Sequence, residues 1–163
     1  MKRKNSIKST RFLIQAAIIA AIYAALTIVL MPFSYGVMQV RVSEALTILP
    51  FFTPAAIPGL FIGCLISNII GPYGMVDIVL GSSASLIAAI GSYALRRYPV
   101  LVPLPPVLAN ALIIGWMLKS IYAVPLPLIA CILWVGLGEV IACYGIGYPL
   151  LRYLRKYKAI FDL

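Results

Sequence analysis

The chain alternates long apolar segments with short stretches that contain proline, glycine and charged residues. This pattern predicts six helices, over approximate residues 11–31, 43–52, 55–70, 77–95, 107–122 and 128–151. The second segment is only about ten residues long and has prolines around its end, so we expect a short helix that does not fully cross a bilayer. The expected fold class is an all-α integral membrane protein with six transmembrane helices.

Composition and charge placement agree with this fold class. Of 163 residues, 63% are hydrophobic and 10% are charged, against roughly 25% charged residues in soluble domains. We expect a single transmembrane domain over residues 1–163, with basic tails at 1–11 and 152–163. The positive-inside rule then places both termini in the cytoplasm of a multi-pass protein of the cell membrane, and six spans satisfy it. The first apolar run is too long for a signal peptide, so we expect a retained helix.

The usual catalytic and metal-binding residues are scarce. The sequence has no histidine, no GxxxxGK[ST] phosphate loop and no HExxH motif. Cys64, Cys131 and Cys143 lie in apolar segments without paired spacing, which predicts buried core residues. We therefore expect no enzymatic activity, no cofactor, no metal site and no ATPase of its own.

Small residues are spaced by four along the first helix. One row contains Ala17, Ala21 and Ala25, and a second row beside it contains Ala16, Ala20 and Ala24. Such rows let another helix approach closely in lipid. Two interpretations stay open, packing within the chain and docking of a partner subunit. Gly59, Gly63, Ser67 and Gly71 form a similar row on the third helix, which we expect to pack internally.

Few charged residues are expected at membrane depth. Arg41 and Glu44 flank the start of the second helix, Asp77 starts the fourth, and Glu139 lies near the middle of the sixth. A charge at the bilayer centre costs about 2.5–3.5 kcal/mol on insertion scales, so it needs a partner or a polar cavity. One interpretation is a buried ion pair of Arg41 with Glu44 or Glu139. The other is a binding site, for which Glu139 is the strongest candidate because glycines precede it.

Further polar and aromatic residues are expected at a similar depth: Tyr35, Gln39, Asn68, Asn110, Trp116 and Trp134. Amides and carboxylates read hydrogen-bond donors and acceptors, and aromatic rings stack on flat molecules. This combination suits a planar heterocycle. The alternative for the tryptophans is an aromatic belt at the membrane interface.

Several stretches resemble one known family in order along the chain. They are QVRVSEALT at 39–47, FTPAAIPGLFIGCLISN at 52–68, DIVLGS at 77–82, LPPVLANA at 104–111 and VGLGE at 135–139. Over residues 12 to 150 the sequence resembles the QueT family of queuosine-precursor transporters. That resemblance implies the substrate-binding (S) component of an energy-coupling factor (ECF) importer, an ATP-binding-cassette transporter with a transmembrane T subunit and two cytoplasmic ATPases. It also implies that the alanine rows of the first helix dock on the T subunit.

The implied substrate is a 7-deazaguanine, either queuine or its precursors preQ0 or preQ1. The chemistry of the candidate residues suits such a ring. We expect Glu139 to accept the N–H groups of the ring edge and Asn68 or Asn110 to donate to the ring carbonyl. We expect Glu44 or Asp77 to meet a cationic aminomethyl group, and Trp134, Trp116 or Tyr35 to stack on the ring. Arg41 either contacts substrate or neutralises an acid.

Three other functions remain as alternatives. The first is an S component for another heterocycle or vitamin, and the second is a standalone secondary carrier. The third is a membrane enzyme acting on lipid, which the lack of histidine disfavours.

Overall fold

The computed structural model describes residues 2–35 and 40–160, with side chains over 10–35 and 40–157. All regular elements in these ranges are helices, which confirms the all-α prediction. In chain order they are α1 (Lys2–Val29), a helical turn (Met31–Ser34), α2 (Val42–Phe51), α3 (Ala56–Ile70), α4 (Gly74–Ala94), α5 (Leu104–Ser120), and α6, which is built from Leu128–Glu139, Val140–Gly147 and Tyr148–Leu154. A short 3₁₀ segment, Arg155–Ile160, follows.

The lengths of these helices differ. Apolar stretches long enough to cross a membrane are Thr10–Val29, Gly74–Ala94 and Leu128–Tyr157, whereas α2, α3 and α5 are shorter. Helix α5 begins three residues before its predicted start, inside the proline-rich stretch. Two prolines occupy its first turn, where the missing N–H groups would have no helical partner anyway. The sequence therefore predicts all six helices, and the largest errors are at their ends.

Helix α2 is a 3₁₀ helix of ten residues. At about 2 Å of rise per residue, it spans roughly 20 Å, less than the hydrocarbon core, as expected. It lies among α1, α3, α4 and α6, and seven of its ten residues are buried. A helix this short is stable at membrane depth because protein, not lipid, surrounds its ends.

The two alanine rows of α1 have separate surroundings. Ala16, Ala20 and Ala24 are buried, and the backbone there lies against Gly59 and Gly63 of α3. A Cβ added at Gly63 would lie 2.9 Å from the carbonyl oxygen of Ala20, so the two backbones are in close contact. Ala17, Ala21 and Ala25, about 100° further round the helix, are exposed. The internal packing expected for the glycines of α3 is thus confirmed, and the outward row of alanines stays available to lipid or a partner.

Candidate binding site

Among the buried polar residues of the described chain, six carry a carboxyl, amide or guanidinium group, and none of the six is more than 6% exposed. They come from the start of α2 and from α2 to α6, and we call them the polar cluster: Arg41, Glu44, Asn68, Asp77, Asn110 and Glu139. All six were candidate residues on sequence grounds. The short helix α2 carries the cluster into the bundle because α1, α3, α4 and α6 pack around it.

Helix α1 is joined to the cluster by hydrogen bonds to α2. The hydroxyl of Tyr23 donates to Glu44 Oε1, and the hydroxyls of Thr27 and Ser43 lie 2.6 Å apart. Tyr23 is fully buried and was not a candidate residue. A usable signal was present, since Tyr23 follows Ala20 by three residues and so shares its buried face, where a phenol needs a hydrogen-bond partner.

Two carboxylates approach each other where α2, α5 and α6 meet. The Asn110 amide lies beside both Glu44 and Glu139, although Glu44 Oε2 has no partner that meets hydrogen-bond geometry. The Sγ atom of Cys143 is 3.5 Å from Glu139 Oε2 and 3.6 Å from the carbonyl oxygen of Glu44. Cys143 is buried, as predicted, but it touches the cluster instead of being only core filling.

Arg41 has no ion pair among the described residues, so the predicted pairing with Glu44 or Glu139 is not found there. Its Nη1 donates to Cys64 Sγ at 3.8 Å, and the guanidinium lies 5.1 Å from the ring centre of Tyr35. Its Nε has no hydrogen-bond partner in that part of the chain. Arg41 is therefore held by a thiol and an aromatic ring, and its Nε donor remains unused.

The contact between α3 and α4 centres on an irregular turn. Residues Asp77–Gly81 are π-helical, a geometry common at functional sites, and the sequence pattern gave no sign of it. Asn68 Nδ2 donates to the carbonyl oxygen of Asp77 at 3.0 Å. A Cβ on Gly81 would lie 2.8 Å from that nitrogen and 3.0 Å from Asp77 Oδ1, so glycine permits this close approach. The amide nitrogen of Asn68 is thus already engaged, and its oxygen remains.

Three tyrosines pack together at one end of the bundle, which we call the tyrosine end. Ring centres of Tyr35 and Tyr73 are 5.9 Å apart, and those of Tyr73 and Tyr122 are 5.0 Å apart. The Tyr35 hydroxyl donates to the carbonyl oxygen of Ser67 at 2.8 Å. Burial raises the pKa of Tyr35 to about 12, so this hydroxyl stays protonated at neutral pH and keeps its hydrogen bond. Since Arg41 stacks on Tyr35, the tyrosine end adjoins the polar cluster.

Two predicted stacking residues lie elsewhere. Trp116 is 47% exposed and Trp134 is 42% exposed, because each falls on an outward face of its helix. The structure does not bring either tryptophan to the polar cluster, and an aromatic belt is the better interpretation for both. The aromatic rings nearest the cluster are those of Tyr23 and Tyr35. Gln39 lies outside the described residues.

Several buried polar atoms near the cluster lack hydrogen-bond partners among the described residues. They include one donor, Arg41 Nε, and the acceptors Glu44 Oε2, Asn68 Oδ1 and Asp77 Oδ2, together with the hydroxyl of Ser82. Each such group costs about 1–3 kcal/mol, so proteins retain them for a reason. Buried donors and acceptors that are left unused in this way are available to bind a polar molecule.

Comparison with known proteins agrees with a transport role. A family model described as "QueT transporter" matches residues 13–156. The Queuosine precursor transporter QueT of Lactococcus lactis subsp. cremoris (strain MG1363) is 39% identical over 77 residues, a match that spans 46% of this chain and 45% of that relative. No solved structure matches the chain significantly. Because the family model covers most of the sequence, this protein belongs to the QueT transporter family.

Proposed function

We propose that this chain is the S component of an ECF importer and that its polar cluster binds a 7-deazaguanine: queuine, preQ1 or preQ0. The observation that carries the proposal is the set of buried, unpartnered polar atoms near the cluster. Membership in the QueT family and the printed name of the Lactococcus relative support the substrate class.

The chemistry of the cluster suits a guanine-like edge. Such an edge presents adjacent N–H donors, which a carboxylate accepts in pairs. Glu139 and Glu44 supply carboxylates side by side, with Asn110 between them. The ring carbonyl needs a donor, and Arg41 Nε is unused. The donor role expected for Asn68 passes to Arg41 because the Asn68 nitrogen is engaged.

Aromatic stacking on the ligand falls to the tyrosine end. Tyr35 and Tyr73 present rings next to Arg41, and a flat heterocycle stacks on such rings at about 4.5–7 Å between centres. This replaces the stacking role expected for the tryptophans.

Binding by the purified protein tests the substrate. We expect titration with a 7-deazaguanine to give saturable binding, and Glu139→Gln to weaken it about 10–100-fold through loss of charged hydrogen bonds. The matched control is Asp162→Asn, the same change of acid to amide in the C-terminal tail predicted from the sequence, which should bind normally. Absence of binding for every deazaguanine at micromolar concentration would refute the substrate assignment.

The proposal also requires partners, a T subunit and two cytoplasmic ATPases, because the sequence has no phosphate-binding loop. The exposed row of Ala17, Ala21 and Ala25 offers the flat surface that a second membrane helix needs. In this arrangement both termini are cytoplasmic, where the ATPases bind.

Assembly can be tested apart from ligand binding. Ala21→Leu should reduce co-purification with the T subunit and ATPases and leave deazaguanine affinity unchanged. The control is Ala94→Leu, the same substitution at an exposed alanine of α4, which should assemble normally. Loss of ligand binding with intact assembly in Ala21→Leu would contradict the docking role.

The two alternative transport functions predict different results. An S component for another heterocycle or vitamin would bind that compound in competition with deazaguanine and more tightly. A standalone carrier would accumulate substrate in vesicles that contain this chain alone. Uptake without partner subunits would overturn the assignment as an S component.

A further inference from the structure

The unpartnered atoms of the site are unevenly distributed. Four unpartnered side-chain oxygens lie on α3 and α4. The Ser85 hydroxyl lies beside the thiol of Cys64, which leaves three potential acceptors: Asn68 Oδ1, Asp77 Oδ2 and the hydroxyl oxygen of Ser82. The three residues are 0%, 2% and 1% exposed, respectively. None of the three atoms has a hydrogen-bond partner in the described parts of the chain. We call these atoms the acceptor trio.

The residues of the trio lie where α3 meets α4. The amide of Asn68 donates to the carbonyl oxygen of Asp77 at 3.0 Å, which fixes the α3 member against α4. Ser82 directly follows the π-helical turn Asp77–Gly81, and Asp77 and Ser82 both lie on the buried side of α4. Gly81 has no side chain, and Asn68 and Asp77 occupy the space that a Cβ there would need.

The charges of the polar cluster favour a cation. The cluster contains three carboxylates, those of Glu44, Asp77 and Glu139, and one guanidinium, that of Arg41. Where these carboxyls are ionised, a neutral ligand would leave excess negative charge buried, which is costly at membrane depth. A bound cation would offset part of it.

A primary ammonium group fits the trio in number and polarity. It carries three N–H donors and no acceptor, and the trio has three oxygen atoms that can accept. Glu44 is less suited to this role because one of its oxygens already accepts from Tyr23 and the Asn110 amide lies beside it.

We propose that Asn68, Asp77 and Ser82 form an ammonium-binding subsite that selects an aminomethyl-bearing deazaguanine over its neutral nitrile counterpart. This inference rests on the proposed function, since it assigns one end of the same site. Asp77 neutralises the charge, and Asn68 and Ser82 accept the remaining protons. Ser82 becomes a specificity-determining residue that the sequence pattern did not single out.

The test compares two probes on the purified full chain, 7-aminomethyl-7-deazaguanine and 7-cyano-7-deazaguanine. The wild type should bind the aminomethyl probe at least about tenfold more tightly, as charged hydrogen bonds imply. Asp77→Asn should lower the affinity for the aminomethyl probe about 10–100-fold and the affinity for the cyano probe less than about threefold.

Serine variants supply a matched pair. Ser82→Ala should lower the affinity for the aminomethyl probe severalfold and leave the affinity for the cyano probe unchanged. Ser83→Ala is the control, because the neighbouring hydroxyl donates to the carbonyl oxygen of Val79 at 2.6 Å and should not affect either probe.

The outcomes separate this inference from the broader proposal. Equal wild-type affinity for both probes, or an equal loss of both in Asp77→Asn, would overturn the ammonium subsite and leave deazaguanine binding standing. Failure of both probes to bind would overturn the two proposals together. The wild-type comparison decides the question even if a variant does not fold.

Discussion

Replacing Gly63 with alanine should separate α1 from α3. A Cβ at this position would lie 2.8 Å from Tyr23 Cβ and 2.9 Å from the carbonyl oxygen of Ala20. Both atoms are fixed to the α1 backbone, so rotation of a side chain cannot relieve the contact. Helix α1 must move away from α3, and Tyr23, which donates to Glu44, must move with it.

Two terms set the size of the effect. Overpacking in a well-packed interior lowers the free energy of unfolding by about 1–3 kcal/mol. Alanine in place of glycine in a helix raises it by up to about 1 kcal/mol. Gly145→Ala carries only the second term, since a Cβ there meets nothing within 4 Å, so the difference between the two variants isolates the first term. The two variants should therefore differ by about 1–3 kcal/mol, with Gly63→Ala the less stable.

Thermal unfolding in detergent measures this difference. For a chain of this length, 1 kcal/mol corresponds to about 2–4 °C, so the midpoints of the two variants should differ by about 2–12 °C. Deazaguanine affinity should fall in Gly63→Ala only. Equal midpoints for both variants would refute the close approach of α1 and α3, and a lower midpoint with unchanged ligand affinity would refute the link through Tyr23.

Three further predictions concern the same helices and the tyrosine end. Tyr23→Phe should lower the free energy of unfolding by about 1–3 kcal/mol, because it leaves Glu44 Oε1 without its donor; an unchanged unfolding midpoint would contradict this. Ala20→Leu should lower the unfolding midpoint because Ala20 faces α3, whereas Ala21→Leu on the exposed row should not, and similar midpoints would count against the division of the two rows. Tyr35 has a pKa raised to about 12 against 10 in the unfolded chain, so its stabilising contribution is complete below pH 10 and is lost between pH 10 and 12. Unfolding midpoints of wild type and Tyr35→Phe across this range should converge, and constant separation would show that Tyr35 does not titrate there.

The helices and the buried charges could be predicted because each depends on local sequence. Apolar runs ended by proline and charge identified all six helices, and the high cost of charge in lipid identified Arg41, Glu44, Asp77 and Glu139 as the residues needing explanation. These four do lie together, along with the two asparagines. The position of each residue along its helix was enough to predict its depth in the membrane, because the helices are nearly all apolar.

Rotation about the helix axis could not be predicted in the same way. Trp116 and Trp134 were placed at a suitable depth, but they face outward, since an almost uniformly apolar helix has little periodicity to show which side is buried. The π-helical turns at Asp77–Gly81 and Val140–Gly147 change the facing of the residues after them and have no simple sequence signal. Tyr23 was missed although it shares a helix face with Ala20, because the sequence does not show that this face is the buried one.

Helix α1 connects the two halves of the proposed function. Its buried side donates to Glu44 through Tyr23 and contacts Ser43 through Thr27, and its exposed side carries Ala17, Ala21 and Ala25. A single helix is about 10 Å across, so the polar cluster and the proposed docking surface are separated by one rigid element. A ligand that draws Glu44 toward itself acts directly on the Tyr23 hydroxyl. Coupling between substrate binding and assembly then needs only a small shift of α1. Tyr23→Phe should remove this coupling, so that assembly with the partner subunits no longer depends on added ligand.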